Sequence, residues 1–475
     1  MAEKLLKFVS LEQKMPTKRT PEARLHDFDE VYARFDINAA EQQASRCSQC
    51  GVPYCHIHCP LGNNIPDWLR LTAEGRLEDA YLMATSTNNM PEICGRICPQ
   101  DRLCEGNCVI EKDFEAVTIG SVEKFIVDTA WENGWVKPIS PRVELDQSVG
   151  IIGAGPAGLA AAEELRKVGY QVHIYDRHDR AGGLLVYGIP GFKLEKDVVG
   201  RRTGRLEQSG ITFHLDFEVG REASLAGLRE KHDALLVATG VYRGRGLKVP
   251  GVGLGNIREA LDYLIASNKK SFGDTVPEFE NGNLDAKGKN VVVIGGGDTA
   301  MDCVRTAVRQ GAKSVKCVYR RDRANMPGSA REVENAEEEG VEFVWLTGPE
   351  AFVGDKTVSA VRAYEMRLGA PDGTGRQAPE PVPESSFKMD CDLAILALGF
   401  EPEDLPALFG APELRVTRWG TVTVDHESMM SNLEGVFAAG DIVRGASLVV
   451  WAIRDGRDAA TAIIKFLKNQ KAAAA

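Results

Sequence analysis

The chain has 475 residues, of which 43% are hydrophobic and 26% are charged, so its length allows about three domains with substantial cores. A net charge of −11 and a pI near 5.4 argue against nucleic acid or an anionic membrane as a partner. Residues 1–20 have no continuous apolar core and no run reaches transmembrane length, so we expect no signal peptide, no membrane span and a cytoplasmic location.

The cysteines of the N-terminal part indicate metal or cluster binding. A polar arm over residues 1–40 precedes a region that holds eight of the 11 cysteines. In a reducing compartment this density favours ligation over disulfides. The first block reads C-x2-C-x4-C-x3-C-P, close to the bacterial ferredoxin pattern C-x2-C-x2-C-x3-C-P. The candidate ligands are Cys47, Cys50, Cys55, Cys59, Cys94, Cys98, Cys104 and Cys108.

This pattern predicts two interleaved [4Fe-4S] clusters, since in two-cluster ferredoxins the cysteine before the proline ligates the other cluster. We assign Cys47, Cys50, Cys55 and Cys108 to the first cluster. The second takes Cys59, Cys98 and Cys104, with either Cys94 or Glu123 as its fourth ligand. Structural zinc is the alternative, because His56 and His58 lie among the cysteines. The interval from Ile65 to Ala84 and the segment from Ile119 to Trp135 are predicted to be helical.

A first dinucleotide site is predicted in the segment VGIIGAGPAG, Val149 to Gly158. The pattern is typical of a buried strand, a glycine-rich turn and a helix whose N-terminus faces phosphates. Gly153 permits the turn, Gly155 leaves room for a pyrophosphate, and Gly158 allows the helix to pack closely on the strand. The expected contacts are Gly153, Gly155, Pro156, Ala157 and Gly158, with Asp176 at the end of the next strand holding a ribose.

Three later segments are expected to complete this site. In AGGLLVYGIP, Gly183 and Leu184 would approach a flat ring system. Thr239 and Gly240 end a buried strand near the cofactor, and Gly440 and Asp441 follow another, where the acid could reach ribityl or phosphate groups. A helix from Ser447 to Ala462 is expected to close the unit.

A second nucleotide signature appears in NVVVIGGGDTA, with Gly295, Gly297 and Ala300 in the G-x-G-x-x-A positions and Asp298 and Thr299 beside them. Where the first site has Asp176, this one has Val318 followed by Arg320 and Arg321. Guanidinium groups bind a 2′-phosphate that a carboxylate would repel, so this site should prefer NADP. The alternative is a solvated arginine pair bonded to Asp322.

The predicted fold is α/β, with two Rossmann-like nucleotide-binding domains and an N-terminal, mainly α-helical iron–sulfur domain. The expected limits are residues 1–140 for the cluster domain, 147–255 and 425–475 for the flavin domain, and 256–424 for an inserted NADP domain. Disulfide reductases carry a cysteine pair beside the flavin, but AGGLLVYGIP has none and Cys303 has no C-x-x-C partner. Electrons from a flavin are therefore expected to leave through the N-terminal cysteines.

Five motifs together resemble the small (β) subunit family of bacterial NADPH-dependent glutamate synthases, from about Arg46 to Phe466. They are PEICGRICPQDRLCEGNC, GAGPAGLAAA, GGLLVYGIP, GGGDTAMDC and AAGD. The same module resembles part of dihydropyrimidine dehydrogenase and the large subunit of NADH-dependent ferredoxin:NADP oxidoreductase. The resemblance implies FAD in the first site, NADPH in the second and [4Fe-4S] clusters in the N-terminal domain. It also implies a large (α) partner subunit that carries FMN and makes L-glutamate from 2-oxoglutarate and L-glutamine.

On this reading the chain is an electron-input subunit, in which a hydride passes from NADPH to FAD and electrons leave through the clusters. No catalytic acid or base is assigned, because hydride transfer depends mainly on positioning. One alternative is a transhydrogenase or ferredoxin-linked NADP oxidoreductase subunit. Another, of a different class, is a zinc-stabilised flavoprotein that acts as a redox sensor or scaffold.

Overall fold

The N-terminal part of the chain is a helical unit. The structure, a computed structural model, describes residues 5–373 and 377–474. The helices pack around a core that includes Trp68, Phe125 and the buried cysteines Cys47 and Cys55. In chain order they are α1 (Pro21–Arg24), α2 (Ile37–Ser45), α3 (Tyr54–Ile57), α4 (Ile65–Ala73), α5 (Leu77–Thr87), α6 (Pro91–Ile97), α7 (Glu111–Phe114) and α8 (Ile119–Glu132).

The helical interval predicted from Ile65 to Ala84 is in fact two helices. Gly75 has a φ of 78°, a left-handed conformation that glycine adopts readily and that cannot continue an α-helix. The chain therefore turns between α4 and α5. The turn lets both helices bury an apolar face in the same core.

The first nucleotide-binding unit is built on a parallel five-stranded sheet. Its strand order is β16-β4-β1-β2-β3, so the edge strand β16 (Val436–Ala438) comes from much later in the chain than the other four. The elements are β1 (Ser148–Ile152), α9 (Pro156–Val168), β2 (Gln171–Tyr175), α10 (Leu184–Tyr187), α11 (Lys196–Gln208), β3 (Thr212–His214), α12 (Leu225–Lys231), β4 (Ala234–Val237), and later β16 (Val436–Ala438), α18 (Asp441–Arg444) and α19 (Val449–Ala474). Apart from Ser148 at the start of β1, the residues of the central strands β1 and β4 are buried, as expected when helices cover both faces.

The second unit repeats this design on a parallel sheet of order β6-β14-β7-β8-β9. Its elements are β6 (Ile257–Glu259), α13 (Ala260–Ser271), α14 (Pro277–Glu280), β7 (Asn290–Ile294), α15 (Asp298–Arg309), β8 (Ser314–Val318), α16 (Ala330–Glu338), β9 (Glu342–Val344) and β14 (Leu393–Leu396). Between β9 and β14 the chain forms a four-stranded antiparallel sheet. Its strands are β10 (Thr347–Gly354), β11 (Val358–Pro371), β12 (Gln377–Pro381) and β13 (Phe387–Asp390).

The two chain crossings between these units pair with each other. β5 (Arg243–Gly244) leads into the second unit, and β15 (Phe400–Glu401) leads back from it. They form a two-stranded antiparallel ribbon in which Phe400 faces Gly244. After β15, helix α17 (Leu405–Leu408) packs with Phe409 in a core shared with Ile152 of the first sheet.

Helix α19 runs from Val449 to Ala474, well beyond the predicted end at Ala462. Ile463 and Leu467 are fully buried, so the apolar stripe continues where the prediction stopped. Among the helices that the structure describes, none is both long and apolar enough to cross a membrane.

Candidate functional site

The first glycine motif has the geometry that the sequence predicts. Gly153 adopts a φ of 111°, and a Cβ there would lie 2.3 Å from the carbonyl oxygen of Ala238. A Cβ on Gly158 would lie 2.0 Å from the oxygen of Gly153. No heavy atom lies within 4 Å of the corresponding position on Gly155, which leaves open space at the N-terminus of α9. Helix and strand thus pack closely while the turn stays free for phosphates.

A cavity of about 430 Å³, here called the flavin cavity, lies at the carboxyl ends of these strands. It brings together nearly all of the residues predicted for the first site, although they come from five separate segments. Gly158 packs behind the turn instead of lining the cavity. The predicted residues that line it are Gly153, Gly155, Pro156, Ala157, Asp176, Gly183, Leu184, Thr239, Gly240, Gly440 and Asp441.

Polar groups of the flavin cavity are consistent with a bound dinucleotide. Asp176 accepts hydrogen bonds from the N–H groups of Ala154 at 2.7 Å and His178 at 2.9 Å, which fixes its carboxylate beside the turn. Thr239 Oγ1 is buried and has no hydrogen-bond partner among the described residues. Burial raises the pKa of Asp441 to about 6. A ligand with hydroxyl or phosphate oxygens would supply the partner that Thr239 Oγ1 lacks.

The second motif opens onto a cavity of about 810 Å³, here called the nicotinamide-nucleotide cavity. Gly295, Gly297, Thr299, Arg320 and Arg321 line it. Ala300 is buried in α15 and Asp298 lines the flavin cavity instead. The two cavities share residues, namely Gly297, Thr299, Pro327 and Gly399.

The arginine pair lies free of Asp322. That carboxylate accepts hydrogen bonds from the backbone N and the Nδ2 of Asn325, at 3.0 and 2.8 Å. Arg321 Nε is buried without a hydrogen-bond partner among residues 5–373 and 377–474. Both guanidinium groups line the cavity, where an anionic group would satisfy them.

The cysteines fall into two neighbourhoods. Burial raises the pKa of the Cys55 thiol to about 12, and the nearby Cys47, Cys108 and Cys50 add to the effect. Gln49 Nε2 also donates to Cys47 Sγ at 3.2 Å. These four cysteines are the set that the sequence assigns to the first cluster.

The second neighbourhood contains Cys59, Cys94, Cys98 and Cys104. A hydrogen bond to Cys94 and burial raise the pKa of Cys98 well above its usual value, with Glu123 and Cys104 contributing. Burial likewise raises the pKa of Glu123 to about 8. The Glu123 carboxylate already accepts hydrogen bonds from the side-chain amides of Asn63 at 3.2 Å and Asn88 at 3.4 Å. Both candidates for a fourth ligand therefore lie in this neighbourhood.

The zinc alternative depends on the two histidines that lie among the cysteines. Within the described part of the chain, no three His, Cys, Asp or Glu side chains are placed to hold one metal ion. His56 Nδ1 is hydrogen-bonded to the carbonyl oxygen of Asn63 at 3.1 Å, and His58 packs near the ring of Tyr54. The two histidines have packing roles in this structure.

Sequence reasoning missed three side chains that line the flavin cavity: Arg102, Tyr242 and Asp302. Tyr242 packs under the guanidinium of Arg177, whose carbon lies 4.7 Å from the ring centroid. Asp302 pairs with Lys193 at 3.0 Å, across the two nucleotide-binding units. Arg102 and Asp302 lie within the quoted motifs PEICGRICPQDRLCEGNC and GGGDTAMDC, whereas Tyr242 lies outside them, and each reaches the cavity only through tertiary contacts.

Two family models match the chain. The model described as dihydropyrimidine dehydrogenase domain II, 4Fe-4S cluster, matches residues 24–135. The model described as pyridine nucleotide-disulphide oxidoreductase matches residues 147–456, more than half of the chain. These spans correspond to the helical unit and to the two nucleotide-binding units.

Similar proteins give the same picture. The structure of Mycobacterium tuberculosis FprA in complex with NADPH has a TM-score of 0.58 at 21% identity, covering 69% of this chain and 86% of that one. The predicted fold class is thereby confirmed. The putative oxidoreductase AegA of Escherichia coli K12 is 46% identical over 95% of this chain and 69% of its own.

A still higher identity is found to the glutamate synthase [NADPH] small chain of Azospirillum brasilense. The two sequences are 67% identical over 98% of this chain and 97% of that protein. Such identity over nearly the full length of both chains establishes common family membership. The chain therefore belongs to the pyridine nucleotide-disulphide oxidoreductase family and, within it, to the family of glutamate synthase [NADPH] small chains.

Proposed function

We propose that this chain is the electron-input subunit of a glutamate synthase. It oxidises NADPH and supplies the electrons to a large partner chain, which carries FMN and makes L-glutamate from 2-oxoglutarate and L-glutamine. The observation that carries the proposal is the 67% identity to a glutamate synthase small chain over nearly the whole of both proteins.

The order of the candidate sites in space supports this role. The nicotinamide-nucleotide cavity adjoins the flavin cavity through shared wall residues. Cys94, Cys98 and Cys59 pack in or against the core of the first nucleotide-binding unit. Cys47 and Cys55 belong to the core of the helical unit. Part of the second cysteine group therefore contacts the core of the first nucleotide-binding unit, whereas Cys47 and Cys55 of the first group lie in the helical core.

The chemistry of the residues suits the proposed cofactors. Flavin accepts a hydride from NADPH when bound, and iron–sulfur clusters exchange single electrons. The residues that line the flavin cavity would hold FAD, while Gly295, Gly297, Arg320 and Arg321 would hold NADPH. The two cysteine neighbourhoods would each hold one [4Fe-4S] cluster, with Cys94 completing the second.

We also propose a division of the chain into a cluster domain over residues 1–140 and a FAD domain that begins at 147. The NADPH domain is inserted from residue 256. The return to the FAD domain is placed near residue 400 instead of 425, because Leu405 and Phe409 pack with Ile152 of the first sheet.

Reconstitution tests the function. The chain, loaded with flavin and iron–sulfur clusters, should support NADPH-dependent glutamate formation when combined with a competent large subunit. The relationship to AegA favours a second candidate, an NADP oxidoreductase serving another acceptor. Rapid NADPH-dependent reduction of a ferredoxin, with no glutamate formed in the presence of the large subunit, would identify that second role.

The nucleotide preference can be tested separately. Changing Arg320 and Arg321 together to alanine should raise the KM for NADPH by about tenfold or more, because each charge-assisted hydrogen bond contributes roughly 1.5–3 kcal/mol. The KM for NADH should change little. Arg323→Ala is the matched control, since Arg323 pairs with Glu337 and lies outside the cavity lining. An unchanged preference in the double variant would refute the assignment.

Composition analysis tests the cluster number. Two clusters predict about eight iron and eight sulfide per chain in anaerobically prepared protein. Zinc without iron would contradict electron transfer through iron–sulfur clusters and favour the alternative of a zinc-stabilised redox sensor or scaffold.

A further inference from the structure

A cationic side chain from the cluster domain lies where the two nucleotide cavities meet. Arg102 belongs to the loop between Cys98 and Cys104, and it lines the flavin cavity. Its Nη1 donates to the carbonyl oxygen of Pro327 at 2.6 Å, and its Nη2 lies 3.3 Å from Asp298 Oδ2. Pro327 lines both cavities.

The charges around Arg102 indicate that it compensates nearby carboxylates. Four carboxylates line the flavin cavity, and Arg102 is the one Lys or Arg among the described residues of its wall. Asp298 is the first residue of α15, at the helix N-terminus that a dinucleotide phosphate would approach. A carboxylate there repels phosphate, and the guanidinium of Arg102 offsets that charge.

The loop that carries Arg102 is fixed to the second nucleotide-binding unit on both sides. The Asp101 carboxylate accepts hydrogen bonds from Ser329 Oγ at 3.3 Å and from the N–H of Ala330 at 3.2 Å, at the start of α16. Arg331 pairs with Glu105 at 3.1 Å. The side chain of Arg102 is nonetheless 42% exposed, and a guanidinium has five N–H donors. It is therefore held in place with donors to spare.

We propose that Arg102 is a nucleotide-binding residue that the cluster domain contributes to the NADPH site, where it binds the diphosphate. This inference rests on the proposed function. Arg320 and Arg321 line only the nicotinamide-nucleotide cavity, whereas Arg102 lines only the flavin cavity. A nucleotide whose 2′-phosphate meets the arginine pair must pass Gly297 and Pro327 to reach the flavin, and this path runs beside Arg102.

Two ligands distinguish binding of the diphosphate from binding of the 2′-phosphate. NADP⁺ carries the diphosphate, whereas 2′-AMP carries only the adenosine and the 2′-phosphate. Both are titrated calorimetrically into the full chain loaded with FAD and clusters. In Arg102→Ala and Arg102→Gln, the Kd for NADP⁺ should rise about tenfold or more, since a charge-assisted hydrogen bond is lost. The Kd for 2′-AMP should stay within about twofold, because the diphosphate is absent from it.

Arg331→Ala is the matched control, because it removes an interdomain ion pair from the same interface but lines neither cavity. Its Kd for NADP⁺ should match that of the wild type. Arg102→Lys keeps the charge and is expected to bind with intermediate affinity, which provides a folded comparison if the other variants fail to load flavin.

Three results would overturn the inference. The first is wild-type NADP⁺ affinity in the Arg102 variants. The second is an equal loss in Arg331→Ala, or an equal loss of 2′-AMP binding, which would mean that the loop only holds the units together. The third is failure of the wild-type chain to bind either ligand, which would overturn the proposed NADPH site as well. After either of the first two results, the proposed NADPH site would still stand if the wild-type chain binds NADP⁺ and the double variant Arg320→Ala, Arg321→Ala does not.

Discussion

Glu339, which follows α16, is the centre of a buried charge network, and its removal should destabilise the second nucleotide-binding unit. Its side chain has no exposed area, nor have those of Arg24, Arg305 and Arg309. Its oxygens accept from Arg305 at 2.7 and 2.9 Å and from Arg309 at 2.6 and 3.0 Å. Burial opposes ionisation, but these arginines outweigh it and hold the pKa of Glu339 below its usual value.

The expected loss in the free energy of unfolding depends on which ion-pair partners each arginine keeps in the Glu339→Ala variant. Arg305 keeps Glu332, and Arg24 keeps Glu338. Among the described residues Arg309 has no second carboxylate within ion-pair distance. Removing one partner of a buried ion pair costs about 3–5 kcal/mol, and we expect the lower end because only one guanidinium is left uncompensated.

The assay is urea unfolding of the cofactor-loaded chain at neutral pH, followed by circular dichroism and by flavin release. Glu338→Ala is the control, with a smaller expected loss: its side chain is 42% exposed, and its buried partner Arg24 keeps its ion pair with Glu339. Because the pKa of Glu339 is lowered in the folded state, its stabilisation is present above its unfolded pKa near 4.5 and is lost as the pH falls through the folded value. Equal unfolding midpoints for the two variants would refute the reasoning.

Three further outcomes are expected. Gly158→Ala should abolish flavin binding, because its Cβ would lie 2.0 Å from a backbone oxygen, whereas Gly204→Ala, which has no heavy atom within 4 Å, should retain flavin. Burial and neighbouring cations lower the pKa of His232 from 6.5 to about 4. The folded state should therefore lose stability as the pH drops through this range, since the unfolded chain takes up the proton first, and a melting temperature constant from pH 7 to 4.5 would contradict this. Cys94→Ser should lower the iron content by about one cluster while Glu123→Gln leaves it unchanged, and the reverse pattern would make Glu123 the ligand.

The nucleotide motifs and the cysteine pattern could be predicted because their chemistry is local. A turn as tight as that at Gly153 needs glycine at one position, and Asp176 lies at the end of a strand that alternation identifies. The same local reasoning placed the cysteines in two groups. The inserted arrangement of the fold also followed from the order of the two signatures.

Contacts between distant segments could not be predicted in this way. Arg102 reaches Asp298 across 196 positions, from a polar loop that has no periodicity. The antiparallel sheet around β11 was missed because its strands lie between recognised motifs, although Tyr364 and Met366 of β11 line the nicotinamide-nucleotide cavity. Leu405 and Phe409, on which we base the proposed return of the chain near residue 400, join the first core through an irregular segment that carries no sequence pattern.

The pairing of β5 with β15 means that the chain enters and leaves the second nucleotide-binding unit at adjacent points. The ribbon has two residue pairs, Phe400 with Gly244 and Glu401 with Arg243, so the two connecting segments lie side by side. A unit whose ends lie side by side can be gained or lost as a block without reordering the sheet that hosts it. The second parallel sheet can therefore be inserted into the chain without interrupting the first. A protein shortened by joining residue 244 to residue 400 should keep the host sheet, including the late strand β16, which would then simply follow β4.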